Sequence, residues 1–183
     1  QVLKHTKRPD KCLGLYDPRD PASFRSVAPQ RDIPVSFVGT SVSRPVRCQG
    51  LFTLLANGVA VAKLGGRSEW FVGEQEMVAC LSRSKIGLNF SDAGPYRHYK
   101  GRVSEILLCG AMLMELENDE TAAILDPFKE FVPFSTPEDL LAKVRYYLNH
   151  HDERERIAVA GRNAALKKLD GREFWAQLFN RLE

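Results

Sequence analysis

Short apolar runs alternate with helix-like repeats from residue 33 to the end of the chain. Five runs that are rich in apolar and β-branched residues predict buried strands. They are IPVSFVG at 33–39, VAVAKLGG at 59–66, SKIGLNFS at 84–91, AMLMEL at 111–116 and FVPF at 131–134. Pro133 makes the last run suitable for a strand end or an edge strand, because proline cannot donate a hydrogen bond to a sheet.

The segments between these runs have helical spacing. The first helix has apolar residues at positions i, i+3, i+4 and i+7, which are Cys48, Leu51, Phe52 and Leu55. Asn57 and Gly58 are typical of its C-terminal end. A second helix is predicted over about residues 73–82, and a third over about residues 100–109, with Gly110 as its C-terminal stop.

Helix signals are stronger in the last third of the chain. Thr136 is a candidate N-cap, Pro137 occupies the first helical position, and Asp139 lies where a capping box has its acid. A further helix is predicted from Asp152 to about Leu169. The last helix follows Gly171 and has an apolar stripe of Phe174, Trp175, Leu178, Phe179 and Leu182.

This alternation of strands and helices indicates right-handed βαβ units, and therefore an α/β domain with a parallel sheet covered by helices on both faces. We assign residues 33–183 to that domain. Residues 1–32 are rich in Lys, Arg, Asp and Pro and have no sustained periodicity, so they are predicted to be a linker or the remnant of another domain. Ligands of such sheets bind at the carboxyl ends of the strands.

The formal net charge is +3, from 26 basic and 23 acidic residues. This excess is too small to indicate a nucleic-acid partner, although it is compatible with a local anion site. The four cysteines, which are Cys12, Cys48, Cys80 and Cys109, are too widely spaced for a Cys-x-x-Cys motif and are interpreted as buried thiols. With no apolar run of about 18 residues and no signal-peptide pattern, we expect a cytoplasmic location.

The segment VGTSVSR at 38–44 is the first candidate site. Gly39 and the small hydroxyl residues after it, Thr40 among them, would let a phosphate approach the backbone at the start of a helix. Arg44 and Arg47 would be the nearest cations. A plain structural turn is the alternative.

The segment HYKGRVSE at 98–105 is the second candidate. Lys100 and Arg102 lie at the start of the third helix, where the macrodipole disfavours cations, so a bound diphosphate explains them better than helix stability does. Glu105, one turn after Arg102, could accept hydrogen bonds from a hydroxylated group joined to that diphosphate. The alternative is a surface ion pair between Arg102 and Glu105.

The histidines and tryptophans give weaker signals. His98 lies in the polar loop 92–99 and is a candidate sugar contact, although a solvated histidine is the more common case. His150 and His151 are expected at the surface, and HHDERER at 150–156 as a solvated helix face. Trp70 and Trp175 are expected to be packing residues.

Several of these segments, in this order, resemble a known family. IPVSFVG, SKIGLNFS, KGRVSEILLCGAMLM and FSTPEDLLAKVRYYLNHHDERERIAVAGR are similar to the C-terminal nucleotide-sugar-binding domain of GT-B glycosyltransferases, in the group 1 and spore-maturation-type branch. The resemblance covers about residues 31–180. It implies a Rossmann-like domain in which Glu105 binds the nucleotide ribose, Lys100 and Arg102, helped by Arg44, bind the donor diphosphate, and Gly39 forms the turn after the first strand.

The chain also differs from this family. The family's Glu-x7-Glu motif would have its first carboxylate at position 97, where this chain has Arg97. A GT-B enzyme also has an N-terminal domain for the acceptor, and the chain begins at Gln1 without an initiator methionine. We therefore expect a fragment that lacks the acceptor domain.

The resemblance implies a hexosyltransferase-type donor domain that binds a UDP-, GDP- or ADP-linked sugar. It implies no metal and no cofactor beyond this donor, with Lys100 and Arg102 stabilising the departing diphosphate. The acceptor, whether glycan, lipid or protein, is not indicated. Two alternatives remain, a non-catalytic nucleotide-binding or regulatory module and a sugar-nucleotide epimerase of the same fold.

Overall fold

Parallel strands form the central sheet of the computed structural model, which describes residues 18–28, 30–66, 72–93, 96–169 and 171–180. In chain order the strands are β1 (Ile33–Val38), β2 (Val61–Leu64), β3 (Ser84–Asn89), β4 (Asp92–Ala93), β5 (Tyr96–Arg97), β6 (Met112–Leu116) and β7 (Val132–Phe134). The sheet order is β2-β1-β3-β6-β7, and every neighbouring pair in it is parallel. All five predicted strands are confirmed, and the proline-containing one is an edge strand.

The hairpin of β4 and β5 is a separate two-stranded sheet. It lies in the segment that the sequence predicts to be a loop.

Helices connect and cover these strands. They are α1 (Pro45–Ala56), α2 (Glu74–Arg83), α3 (Gly101–Leu108), α4 (Asp119–Ala122), α5 (Pro137–Asn149), α6 (His151–Lys168) and α7 (Gly171–Phe179). Gly110 follows α3 with φ +81°, the left-handed conformation expected of a C-terminal stop. The side chain of Thr136 accepts a hydrogen bond from the backbone of Asp139 at 3.1 Å, which confirms the predicted N-cap. The four-residue α4 is too short for a periodicity signal.

Two apolar clusters cover the two faces of the sheet. One joins α1, α5 and the first half of α6 to residues such as Val35, Ile86 and Met114. The other joins α2, α3 and the second half of α6 to residues such as Val38 and Leu113. Because side chains alternate along a strand, Met114 and Leu113 are directed to opposite faces. Both faces are therefore buried, as predicted.

The apolar stripe predicted for α1 is wrong in its orientation. The residues that α1 buries are Gly50, Leu51 and Leu54, whereas Phe52 is 71% exposed and Cys48 and Leu55 are also exposed. A Cβ atom at Gly50 would come within 2.9 Å of the Phe90 ring. The glycine lets the helix approach that ring closely, and this contact decides which side of the helix is buried.

Two further expectations about burial are corrected. Arg154, in the predicted solvated face, is only 2% exposed because its Nη1 donates to the carbonyl oxygen of Tyr147 at 2.9 Å. Trp175 is exposed and stacks on the exposed Phe179, and Trp70 lies outside the described residues.

The cysteines follow the prediction in part. Cys80 and Cys109 are buried, and burial raises the pKa of Cys109 to about 11. Cys48 is exposed because it lies on the outer side of α1. Cys12 is outside the described residues.

The described part of the N-terminal segment packs on the domain. Phe24 is buried in the cluster that contains α2 and α3. Ser82 of α2 donates from its hydroxyl to the carbonyl oxygen of Arg25 and accepts from the backbone N–H of Val27, both at 3.2 Å. These contacts bring residues 18–28 across α2 and toward α3.

Candidate functional site

Arg47 of α1 connects the loops that follow β1 and β3. Its Nε donates to Asp92 Oδ1 at 2.6 Å, and its Nη1 donates to the carbonyl oxygen of Thr40 at 3.0 Å. Its Nη2 donates to the carbonyl oxygens of Phe90 and Asp92 at 3.2 and 3.3 Å. The side chains of Arg47 and Asp92 are only 11% and 13% exposed. This network fixes the relative positions of the two strand ends.

Lys100 uses the same two carbonyl oxygens. Its Nζ donates to Phe90 O at 3.1 Å and to Asp92 O at 2.7 Å. Burial lowers the pKa of Lys100, and the charges of Arg47 and Arg44 lower it further. We call Arg44, Arg47 and Lys100 the cation cluster. Among the described residues, Asp92 is the carboxylate that pairs with this cluster, so positive charge is in excess there.

The helices next to the cation cluster have an unusual first turn. The helices α2, α4, α5 and α6 each have two acidic residues there, as the macrodipole favours. By contrast, α1 and α3 have none, and neither has a side-chain N-cap hydrogen bond. Their flanking residues Arg44 and Lys100 are cations instead. This arrangement favours an anion that is not part of the protein.

The loop after β1 has the geometry of a tight turn. Gly39 has φ +149°, and its N–H donates to Leu64 O at 2.8 Å. Ser43 has φ +56°, a rare conformation for a residue with a side chain, and directly precedes Arg44. Thr40 supplies the carbonyl oxygen that Arg47 binds, and its Oγ1 accepts from Val42 N at 3.3 Å. The predicted roles of Gly39, Thr40 and Arg44 toward a ligand stay predictions.

Arg102 has different neighbours from Lys100. Its Nη1 lies 2.5 Å from Glu105 Oε2 and contacts the sulfur of Met77 in α2. The contact with Oε2 is an ion pair without hydrogen-bond alignment. The surface pair considered as an alternative is therefore present, although Glu105 is only 5% exposed. The structure does not bring Arg102 and Lys100 onto a common partner.

Glu105 has a second basic partner that the sequence does not predict. Arg19 of the N-terminal segment donates from Nε to Glu105 Oε1 at 2.7 Å. Each oxygen of this carboxylate therefore faces one guanidinium group. A ribose hydroxyl that used Glu105 would have to share it with Arg19 or Arg102, or to displace one of them.

Arg97 and His98 contact residues that lie just after β6 and β3 in the chain. Arg97 Nη1 donates to the Glu117 carbonyl oxygen at 2.6 Å. His98 is exposed, and its backbone N–H donates to Ser91 O at 3.2 Å. This hydrogen bond involves only the backbone of His98, so the sugar contact of its imidazole stays a prediction.

Glu115 is a buried acid to which the sequence analysis assigns no individual role. It has no exposed surface and lies at the carboxyl end of β6. Its Oε1 accepts hydrogen bonds from Asn89 Nδ2 at 2.9 Å and from Ser91 Oγ. Burial raises its pKa to about 7, although the polar side chains of Ser91, Thr121, Asn89 and Asn118 near it oppose the shift. In the sequence, its position as an acid within the apolar run AMLMEL is the feature that distinguishes it.

The described residues were also compared with the requirements of a metal site and of a membrane-spanning helix. The described residues contain no group of three or more His, Cys, Asp or Glu side chains that could bind a metal ion. None of the helices in the described part of the chain has the length and apolar character that a membrane-spanning helix needs.

Comparisons with known proteins agree with this architecture. HepE from Anabaena, in complex with UDP and glucose, is similar at 12% identity and a TM-score of 0.71, over 92% of this chain and 55% of its own. An α-glucosyltransferase in complex with UDP-glucose and DNA has 13% identity and a TM-score of 0.71, over 92% of this chain and 57% of its own. This chain thus spans little more than half the length of either protein.

A solved structure of one isolated domain is matched over nearly its whole length. The C-terminal domain of LpcC, a group 1 family glycosyl transferase from Francisella tularensis, has 9% identity and a TM-score of 0.63, over 82% of this chain and 97% of its own. No curated protein sequence matches the chain. At such low identities these structures establish the Rossmann-like fold. A sequence profile of the glycosyl transferase-like family matches residues 41–180, which is more than half of the chain, and the protein therefore belongs to that family.

Proposed function

We propose that this chain is the donor domain of a glycosyltransferase and binds a nucleoside-diphosphate sugar. The observation that carries the proposal is the cation cluster of Arg44, Arg47 and Lys100 beside two helix starts without acidic residues. A diphosphate fits this environment, since backbone N–H groups, helix dipoles and cations all favour its charge. The family and the structures with bound UDP or UDP-glucose support this choice of ligand.

The reaction is transfer of the sugar to an acceptor, with the diphosphate as leaving group. Lys100 would stabilise the charge that develops on the diphosphate oxygens, and Arg44 would act with it. Arg47 would hold the two strand ends in register. Removing one such donor typically costs about 10² to 10³ in rate. We propose that these cations take the place of a metal ion, which activity in the presence of EDTA would test.

The predicted roles of Arg102 and Glu105 can be combined with this geometry. Glu105 would accept from a ribose hydroxyl after exchange of a guanidinium partner, and the released Arg102 would then join the diphosphate contacts. The spore-maturation-type branch, the cytoplasmic location and an acceptor domain in the complete protein stay part of the proposal. The acceptor could be a glycan, a lipid or a protein.

Isothermal titration with UDP-glucose, GDP-mannose and ADP-glucose tests the binding step. We expect at least one of them to bind, and Lys100→Ala to weaken that binding by about tenfold or more. Lys85→Ala is a matched control, because Lys85 lies at the opposite end of β3. Equal affinity of Lys100→Ala and the wild type would refute the site, and no binding of any of the three would refute the function.

Turnover separates a transferase from the two alternatives, a non-catalytic nucleotide-binding module and a sugar-nucleotide epimerase. The full-length protein should release nucleoside diphosphate from the bound sugar nucleotide when an acceptor extract is added. Binding without turnover would favour a non-catalytic nucleotide-binding module, and epimerised sugar nucleotide would favour the epimerase.

A further inference from the structure

Glu115 lies beside the segment that binds two members of the cation cluster, Arg47 and Lys100. In the sheet it pairs with Asn89 of β3 and Pro133 of β7. The segment from Asn89 to Asp92 leaves β3 directly beside it. Phe90 and Asp92 within this segment supply the carbonyl oxygens that bind Lys100 and Arg47. A change at Glu115 therefore acts on Asn89 and Ser91, which are next in sequence to the residues that make these contacts.

The hydrogen bonds of Glu115 alternate with those of the cations along this segment. Asn89 and Ser91 donate to Glu115 Oε1, while the carbonyl oxygens of Phe90 and Asp92 are used by the cations. Asn89 Nδ2 also donates to Ser91 Oγ at 3.2 Å. The carboxyl group thus holds the inner side of the segment, and the cations hold its outer side.

The surroundings of Glu115 suit an uncharged carboxyl group. No ion pair of Glu115 exists among the described residues, and its Oε2 is fully buried without a hydrogen-bond partner. The groups that face it are the amides of Asn89 and Asn118 and the hydroxyls of Ser91 and Thr121. A negative charge at Glu115 would act on Lys100, whose pKa it raises. An ionised carboxylate in this place would be buried with hydrogen bonds from Asn89 and Ser91 but without an ion pair to offset the loss of hydration.

We propose that Glu115 is a positioning residue of the donor site: its carboxyl group fixes the segment from Asn89 to Asp92 through Asn89 and Ser91, and its ionisation weakens donor binding by adding a buried negative charge beside the cations that hold the diphosphate. The inference rests on the proposed function, because the affected ligand is the nucleotide sugar. Glu115 touches neither the donor nor the reacting atoms in this scheme.

The direction of the pH effect follows from charge. A diphosphate bound near Lys100 disfavours a second negative charge at Glu115 and so raises the pKa of Glu115 above its value of about 7 in the free chain. If that pKa rises by about one pH unit, affinity falls by about tenfold as the pH increases through this range. Below pH 6 the carboxyl group is uncharged in both states, and the affinity is constant.

The test is the pH profile of nucleotide-sugar affinity between pH 5.5 and 9. UDP-glucose, GDP-mannose and ADP-glucose are the probes, because their diphosphate diesters have no ionisation in this range. The wild type should lose about tenfold in affinity across it. Glu115→Gln keeps the acceptor oxygen and cannot ionise, so its profile should be flat at the level of the wild type at pH 6. Glu138→Gln, an acid on α5, is the control and should follow the wild type.

A flat profile for the wild type, or a Glu115→Gln profile equal to that of the wild type, would overturn the inference while leaving the proposed function intact. Infrared difference spectra of ligand-free wild type minus Glu115→Gln give a readout that needs no nucleotide. We expect the carbonyl band of a carboxylic acid at pH 6 and its loss at pH 8.5. A carboxylate band at pH 6 would also overturn the inference. If the acid band is present but none of the three probes binds, the proposed function fails, and the donor-site role of Glu115 fails with it.

Discussion

Arg19 Nε lies 2.7 Å from Glu105 Oε1, so that a residue before the first strand pairs with the carboxylate proposed to bind the ribose. Glu105 is in the third helix, and 86 positions separate the two residues. The pair connects the N-terminal segment to the proposed donor site, and Arg102 occupies the other carboxylate oxygen.

Replacing Arg19 should therefore change donor binding. We expect Arg19→Ala to raise the affinity for the nucleotide sugar by about threefold to tenfold, because a partly exposed ion pair worth about 1 kcal/mol no longer competes for Glu105. Titration calorimetry gives the comparison. Arg83→Ala is the matched control, since Arg83 forms an exposed pair with Asp32. A loss of affinity in Arg19→Ala would mean instead that Arg19 itself binds the donor.

Arg47 should matter through its geometry as well as its charge. We expect Arg47→Lys to lose most of the donor affinity, because one ammonium group cannot reach Asp92 and the three carbonyl oxygens together. The expected loss is about tenfold or more. Arg145→Ala removes an exposed arginine that also donates to a carbonyl oxygen, that of Asn57, and should bind as the wild type does. Wild-type affinity of Arg47→Lys would show that charge alone is sufficient.

Glu115 should also make stability depend on pH. Its pKa is raised from 4.5 to about 7 in the folded chain, so the unfolded chain loses this proton first. The stabilising contribution is therefore complete below pH 4.5 and lost as the pH rises to about 7. Relative to the wild type, Glu115→Gln should gain about 3 kcal/mol across this interval. Urea unfolding of both proteins at several pH values measures the difference, and a constant difference would contradict the burial argument.

Gly161 of α6 is a position where a side chain does not fit. A Cβ atom there would overlap the carbonyl oxygen of Glu130 and lie 2.7 Å from Leu107 Cδ2. We expect Gly161→Ala to lower the free energy of unfolding by about 2 kcal/mol, despite alanine's better helix propensity. Gly66→Ala, with no heavy atom within 4 Å of the added group, should change it by less than about 0.5 kcal/mol. Chemical unfolding at neutral pH gives both values.

The sequence predicted the fold well, because its signals are local. Continuous apolar runs identify strands buried on both faces, and Thr136 and Gly110 mark helix ends through backbone chemistry that needs no distant partner. The buried side of α1 could not be predicted in the same way. Both of its sides carry apolar residues, and the contact of Gly50 with Phe90, which decides between them, joins residues 40 positions apart in the chain.

The candidate site was predicted only in part, for a related reason. Lys100, Arg44 and Arg47 follow from helix starts, and the structure shows that Arg47 and Lys100 bind the same two carbonyl oxygens. Glu115 and Arg19 required tertiary structure. An acid inside an apolar run gives no indication of its hydrogen-bond partners, and an arginine in a proline-rich segment gives no indication that it reaches Glu105.

The helix α6 spans both apolar clusters, with Ile157 and Ala158 in one and Ala164 and Ala165 in the other. Neither layer of helices can lose its packing without loosening this common element, so the domain should unfold as one cooperative unit. Amide protons of β3 and β6 are therefore expected to exchange with solvent only through global opening. A truncation that ends after α5 should not yield a folded domain.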